Sequence, residues 1–296
     1  MKSNRLATSL FAVLLVVLFA GTVLCRSQVE KLRGKEVTLE EVLYMPSGKS
    51  VKRLSLGYSS LLADIYWTRA VQYFGDKSNQ RSMQYDLLYP LLDITTDLDP
   101  HLIVAYEFGS VFLSQPHPEG AGQPEKAVAL VEKGIRENPS YWRLYFTLGF
   151  IHYLDRRDYK AASEAFLKGS QVPGALPWMK VMAARMAEHG ADRSTAVYLW
   201  KAVYDTSIDQ QVKDTAIQHL TSLRAEEDIE QLEQRVKIYR ERTGMLPSRW
   251  LDMVRAGALP GLPQDPNGVE YKLLPDGTVD VQDRSKYRFL DRSRNK

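Results

Sequence analysis

The sequence predicts an all-α fold built as a stack of paired helices. From about Leu56 to Arg242, helix-length amphipathic segments alternate with short breaks, and strand-like alternation is nearly absent. Small residues recur at a nearly fixed step, because Ala127, Ala162 and Ala196 lie 35 and 34 residues apart. A fixed period of this length indicates an array in which each helical pair buries its apolar side against its neighbours.

A second series keeps the same steps, since Gly134, Gly169 and Val203 follow the three alanines at a constant distance. The dipeptides Asp99-Pro100 and Asn138-Pro139 end two successive second helices and lie 39 residues apart. The inserted loop at 115–122 explains this longer step. Small residues let two helices approach closely, and proline stops a helix.

These residues resemble the tetratricopeptide-repeat (TPR) family, with one extra residue in the turn between the helices of the best-matched pair. The matching positions are Leu148-Gly149, Tyr153, Asp158 to Ala162, Phe166 and Gly169, and in the preceding pair Phe108-Gly109, Phe112, Ala127, Gly134 and Pro139. The resemblance implies a right-handed solenoid of about four helical pairs over residues 56–243. Residues 209–243 match poorly and are expected to form a capping hairpin.

The regions on either side of the array differ from it in character. Residues 1–25 are predicted to be a transmembrane signal anchor and 26–55 a polar linker. Residues 284–296 form a basic tail that we expect to be solvated and disordered, with contact to acidic lipid headgroups or an acidic partner as the alternative. Residues 244–283 predict a small α+β module, with a short helix before Gly257 and a β-hairpin around Asp276-Gly277. The pattern of this module is similar to the C-terminal part of type II secretion pseudopilins. The chain lacks the N-terminal methylation-site helix of that family, so no pilin role is inferred.

The N-terminal apolar segment has the length of a membrane span. Leu6 to Leu24 comprises nineteen residues, of which only Thr8, Ser9 and Thr22 are polar. This length favours an uncleaved anchor over a cleaved signal peptide, which remains an alternative, as does lipidation at Cys25. Cys25 is the only cysteine, so no intramolecular disulfide can form.

The orientation of the anchor follows from two opposing arguments. The cations after the span, among them Arg26 and Lys31, outnumber Lys2 and Arg5 before it, and the positive-inside rule would place the body in the cytoplasm. A short basic N-terminus before a long body is nevertheless the usual signal-anchor arrangement. We therefore expect a single-pass protein of the bacterial inner membrane with a periplasmic body.

Several function classes lack support in the sequence. The formal charge of +3 is far from the concentrated positive field of nucleic-acid binders. Gly48-Lys49-Ser50 resembles the end of a phosphate-binding loop, but Leu43 stands where its first glycine is required. The five histidines lie in separate segments without metal-ligand spacing, and no catalytic motif is present. We expect neither an enzyme nor a bound cofactor or metal.

The TPR resemblance implies a concave groove lined by first-helix residues, and aromatic and arginine side chains there are typical anchors of protein interfaces. The sequence therefore predicts a membrane-tethered scaffold that binds a peptide or helix of a partner protein in the bacterial envelope, in secretion, pilus or exopolysaccharide assembly. The alternative is a module that binds carbohydrate or another envelope polymer. The oligomeric state is left open. The implied groove residues are Trp67, Tyr106, Arg143, Phe146, Phe150, Tyr153, Trp178 and Arg185.

Overall fold

The computed structural model describes residues 47–290 together with Phe19 and Thr22. The described chain is mostly helical, as predicted, and it divides after Asp99 into two compact units. The predicted anchor at 6–24, apart from Phe19 and Thr22, and the linker up to residue 46 lie outside the described residues. Within the part of the chain that is described, no helix is both long and apolar enough to cross a membrane.

The first unit contains helices α1 (Gly48–Leu54), α2 (Ser59–Asn79) and α3 (Leu88–Leu98). α1 forms at the end of the segment predicted to be a linker, because the Ser47 side chain accepts from the amide of Ser50 and caps it. Gly48 is buried against Asp97, where a β-carbon would lie only 2.5 Å from the Asp97 Cβ. Gly48-Lys49-Ser50 is therefore the first turn of a helix and not a phosphate-binding loop.

The second unit begins with three helical pairs. Within each pair the two helices pack against each other, and each pair packs against the next through its second helix. Asp158 and Asp192 cap the second helices of two pairs by accepting from the amides of Ala161 and Thr195. The six helices are α4 (Ile103–Ser114), α5 (Pro124–Glu137), α6 (Trp142–Phe150), α7 (Tyr159–Ser170), α8 (Trp178–His189) and α9 (Arg193–Thr206).

The recurring small residues lie where neighbouring helices come closest. A β-carbon on Gly134 would lie 2.8 Å from the Tyr106 ring, and one on Gly169 would lie 2.7 Å from the Tyr145 Cβ. Each glycine on a second helix thus accommodates a tyrosine of the first helix in the same pair. The alanines of the periodic series, Ala127, Ala162 and Ala196, are completely buried.

The helix geometry changes at the end of α6. α6 continues into one turn of π-helix, Ile151–Asp155, before α7 begins. A π turn holds more residues than an α turn and commonly marks a single insertion. The turn places Ile151 and His152 in the interior, and burial, with a smaller effect from the nearby charge of Arg156, lowers the pKa of His152.

The segment expected to form a capping hairpin is one continuous helix, α10 (Gln210–Thr243). Residues 210–243 contain neither glycine nor proline, so no residue interrupts the helix until Gly244 adopts a left-handed conformation. The first half of α10 contributes Ala216 and Leu223 to the core formed by α8 and α9. The second half contributes Ile229 and Val236, among others, to the core of the C-terminal module.

The C-terminal module packs onto the second half of α10. It contains α11 (Trp250–Arg255) and two short antiparallel strands, β1 (Lys272–Leu273) and β2 (Val279–Asp280), with Lys272 opposite Asp280 and Leu273 opposite Val279. The indole nitrogen of Trp250 donates to the carbonyl of Tyr271 over 2.7 Å. The Tyr271 hydroxyl in turn donates to Asp228 of α10 over 3.1 Å, which ties the hairpin to the helix.

The first half of the predicted disordered tail is folded. Arg284–Lys286 forms a 3-10 turn, and the following Tyr287 and Leu290 are buried in the core of the module. The side-chain amide of Asn267 donates a hydrogen bond to the Tyr287 hydroxyl over 2.8 Å. The expectation of a solvated tail from residue 284 onward is therefore wrong for 284–290, because the apolar side chains between the cations find a core. Residues 291–296 lie outside the described residues.

Replacing Gly134 with Ala is expected to destabilise the full-length protein by about 1–3 kcal/mol, because the added methyl group would overlap the Tyr106 ring. Gly75→Ala in α2 is the control, since nothing lies within 4 Å of its added β-carbon. That change is expected to stabilise by about 0.5–1 kcal/mol. Urea unfolding in detergent measures both, and equal effects would contradict the close-approach argument.

Candidate functional site

Helix α6 is apolar on two opposite sides. Leu144, Leu148 and Ile151 on one side are buried in the core. The other side carries aromatic side chains that are only half-buried, at the helical spacing i, i+4, i+8 and i+11. These rings pack against a second core, the one formed by α7, α8, α9 and the first half of α10, and Phe150 meets the buried Phe166 edge to face at 5.2 Å. The residues of this row are Trp142, Phe146, Phe150 and Tyr153.

Helix α8 supplies a second row beside the first. Trp178, Met182, Arg185 and His189 follow the spacing i, i+4, i+7 and i+11, opposite the buried residues of the same helix such as Ala183. The rings of Phe146 and Trp178 meet edge to face, with centroids 5.5 Å apart. We call these eight residues, Trp142, Phe146, Phe150, Tyr153, Trp178, Met182, Arg185 and His189, the aromatic face.

Ring contacts make the aromatic face continuous. Phe146 and Phe150 have centroids 4.7 Å apart, and Phe150 lies 6.5 Å from Tyr153. Tyr159 connects the two rows at their other end, because its ring lies 6.1 Å from that of Tyr153 and stacks on His189 at 5.7 Å. Aromatic pairs in such arrangements are each worth about 0.5–1.5 kcal/mol beyond their buried area. The rings are thus held in fixed positions.

Most of the predicted groove residues come together here. Phe146, Phe150, Tyr153, Trp178 and Arg185 belong to the aromatic face. Arg143 lies at its edge, with its guanidinium carbon 5.5 Å from the centre of the Trp142 ring.

Two predicted groove residues are placed elsewhere. Tyr106 is completely buried against Gly134, so its prediction as a surface residue is wrong. Trp67 is half-buried on α2 in the first unit.

The sequence prediction missed Glu107, which lies on α4 one residue after Tyr106. Glu107 interacts with Arg143 and Tyr141, at the edge of the aromatic face. Burial raises the pKa of the Glu107 carboxyl, while Arg143 and a hydrogen bond with Tyr141 partly oppose that shift. Met182 and His189 were also missed. Both lie four residues after a predicted residue, Trp178 or Arg185, so helical spacing alone could have indicated them.

A polar cavity of about 610 Å³ adjoins the end of the aromatic face. Arg185 and His189 belong to both, and helices α8, α9 and α10 together with the C-terminal segment form its wall. Oppositely charged side chains face one another across it. The other lining residues are Glu188, Ala191, Arg193, His219, Leu223, Glu226, Glu230 and Phe289.

His219 is the most constrained residue of this cavity. Its ring is stacked between Trp200, at 3.9 Å, and Phe289, at 3.5 Å. Its Nδ1 lies 2.8 Å from Oε2 of Glu188, and the same oxygen accepts from the indole nitrogen of Trp200 over 3.2 Å. The carboxylate can only accept, so Nδ1 carries a proton. The buried Nε2 has no hydrogen-bond partner among the described residues.

A second ionic contact joins the helices around the cavity. The guanidinium of Arg193 on α9 donates two hydrogen bonds to Glu230 on α10, of 2.6 and 2.9 Å. Bidentate pairs of this kind fix geometry as well as charge, and the hydrogen bonds to Glu230 raise the pKa of Arg193. No group of three or more His, Cys, Asp or Glu side chains in the described part of the chain is arranged to hold a metal ion.

No protein-family model and no curated protein matches this chain. Function is therefore inferred from the geometry of the aromatic face and the polar cavity.

Replacing Glu107 with Gln is expected to increase stability more at neutral than at acid pH. The folded state raises the pKa of Glu107 above its usual 4.5, so it holds the proton more tightly than the unfolded state does. The stability contribution of the protonated group is present below about pH 4.5 and is lost as the pH rises through the folded pKa. Unfolding free energies of both proteins across this range test it, and a difference that does not change with pH would contradict the assignment.

Proposed function

We propose that the protein is a helical-repeat scaffold of the TPR type, tethered to the bacterial inner membrane by residues 6–24, and that its aromatic face binds a segment of a partner protein. The observation that carries this proposal is that the half-buried rings of α6 pack on the core through Phe166 and continue outward to the exposed Trp178 and Arg185 of α8. Contiguous exposed apolar surface is a common mark of an interaction site.

The side chains of the aromatic face suit a protein ligand. Tryptophan, tyrosine and arginine are enriched among residues that dominate binding energy, because they bury large area and lose little conformational freedom. The α6 row spans about 17 Å from Trp142 to Tyr153, which is the length of about five extended residues or three helical turns. A short peptide or a helix of the partner would fit along it.

Charged side chains at the edges of the aromatic face indicate what else the ligand carries. Arg143 lies beside Trp142 at one end, and Arg185 and His189 lie where the aromatic face meets the polar cavity. Arginine recognises carboxylates through paired hydrogen bonds. A segment with apolar side chains at its centre and an acidic group near an end is the ligand we expect.

The alternative ligand, a carbohydrate or another envelope polymer, fits the aromatic face less well. Phe146 and Phe150 form its centre, and neither ring carries a group that hydrogen-bonds to hydroxyls. Trp178, which is 39% exposed, is the best platform for a sugar ring. The experiment below must therefore distinguish binding of a polymer from binding of a protein.

The assignment to the TPR type is supported by the packing of the periodic residues. Small side chains at 127, 134, 162, 169 and 196 lie at the contacts between helices, and the additional residue is absorbed by a π turn. The tether, the periplasmic body and a partner in envelope assembly follow from the sequence argument and form part of the proposal.

Trp178→Ala and Arg185→Glu are each expected to reduce the capture of the partner by at least about tenfold, since interface tryptophans and arginines commonly contribute 2 kcal/mol or more. The measurement is crosslinking of the full-length protein in cells, followed by quantitative mass spectrometry. Tyr204→Ala is the matched control, because Tyr204 is also 39% exposed but lies on the second helix α9. It should leave capture unchanged.

Two results would reject the proposal. If Trp178→Ala and Tyr204→Ala lower the crosslinked partner equally, the aromatic face is not the binding site. If no protein is enriched but the body binds envelope glycan and loses that binding with Trp178→Ala, the polymer alternative replaces the scaffold.

A further inference from the structure

Helix α2 in the first unit exposes apolar side chains on the side opposite its core. Ala63 and Ala70 are completely buried, whereas Tyr58, Leu61 and Ile65, on the opposite side, are 47–68% exposed. The polar residues of this side begin only further along the helix, at Thr68. The start of α2 therefore inverts the pattern expected of a helix at a protein surface, which keeps its outer side polar.

The turn before α2 extends this apolar surface. Leu54 and Leu56 are 79% and 88% exposed. Leu56 has a φ of 49° and Gly57 a φ of 94°, so two successive residues adopt the left-handed conformation. For a branched side chain such as leucine that conformation costs free energy, and strained residues of this kind cluster at functional sites. In this turn the strained residue is Leu56, whose side chain is almost fully exposed just before α2 begins.

Positive charge accompanies these apolar residues. Lys49 and Arg53 are exposed one turn apart on α1, directly before Leu54. Between residues 47 and 69 the chain carries four cations, Lys49, Lys52, Arg53 and Arg69, and one acid, Asp64, a net charge of +3. Lys52 is also held within the fold, since its Nζ donates to the carbonyl of Asp97 over 3.1 Å.

We propose that Leu54, Leu56, Tyr58, Leu61 and Ile65, which we call the N-terminal apolar face, lie in the headgroup region of an anionic lipid bilayer. Exposed apolar side chains next to lysine and arginine are the combination that binds at such an interface. A protein partner would more often meet an apolar surface with few charges at its centre. The adjacent cations favour lipid over a second copy of the chain, which would bring like charges together.

The position of this face in the chain supports the same occupant, and here the inference rests on the proposed tether. Residues 25–47 connect the apolar segment 6–24 to α1. Each of these residues can span at most about 3.3–3.6 Å, which limits how far α1 can lie from the bilayer. Such a tether keeps the N-terminal apolar face at a high effective concentration near the bilayer. A contact too weak to recruit a free protein is then sufficient to orient a tethered one.

The test uses the full-length chain with Cys25→Ser, labelled at Ile65→Cys with a fluorophore and reconstituted into vesicles that contain phosphatidylglycerol and nitroxide-labelled lipid. We expect the lipid to quench this label several-fold more than one at Met83→Cys, an exposed apolar position of the same unit beyond the other end of α2. Quenching at residue 65 should fall to the level at residue 83 with Lys49→Glu and Arg53→Glu combined, or in vesicles of phosphatidylcholine alone.

Three results would overturn the inference. If the protein floats with the vesicles but both labels are quenched equally, the tether stands and the face does not contact lipid. If the protein does not float with the vesicles, the proposed tether fails and the inference fails with it. If the label at residue 65 is not quenched but shows energy transfer between copies, a second copy covers the face.

Discussion

The close approach of helices at the recurring small residues is the constraint on which the array depends. Gly134 accommodates the ring of Tyr106, and Gly169 accommodates the side chain of Tyr145. A larger side chain at either glycine would separate the two helices of the pair and shift the next pair. Because the helices stay close, α6 and α8 bring Phe146 and Trp178 into ring contact. The aromatic face therefore exists as one surface only because the interior positions are small.

Helix α10 connects the helical pairs to the C-terminal module, since its two halves belong to two different cores. The first half completes the packing of α8 and α9, and the second half is the platform for the C-terminal module. The polar cavity lies near the junction, where Arg193 of α9 binds Glu230 of α10 and Phe289 covers His219. A continuous helix couples the module rigidly to the last pair, which two helices joined by a turn would do less directly.

Helices α2 and α6 each supply apolar side chains to a candidate surface, but the charged residues beside the two surfaces differ. The aromatic face lies among both acids and cations, with Glu107 and Arg143 at one end and the polar cavity at the other. The N-terminal apolar face has almost only cations beside it. Mixed charge provides specificity for a protein segment, whereas an excess of cations favours an anionic lipid surface. For this reason we assign a protein segment to the aromatic face and an anionic lipid surface to the N-terminal apolar face.

The sequence by itself determined the mostly helical fold and most of the aromatic side chains of the face, because these depend on local spacing along one helix. It could not decide which of the neighbouring residues Tyr106 and Glu107 is buried. Adjacent helical residues point about 100° apart, and only packing against Gly134 selects the buried one. Tertiary structure also decided that α10 is unbroken and that Tyr287 and Leu290 leave the basic tail for a core. It alone assembled the polar cavity, whose Glu188, His219 and Phe289 are far apart in the chain and meet only through the packing of α8, α10 and the C-terminal segment.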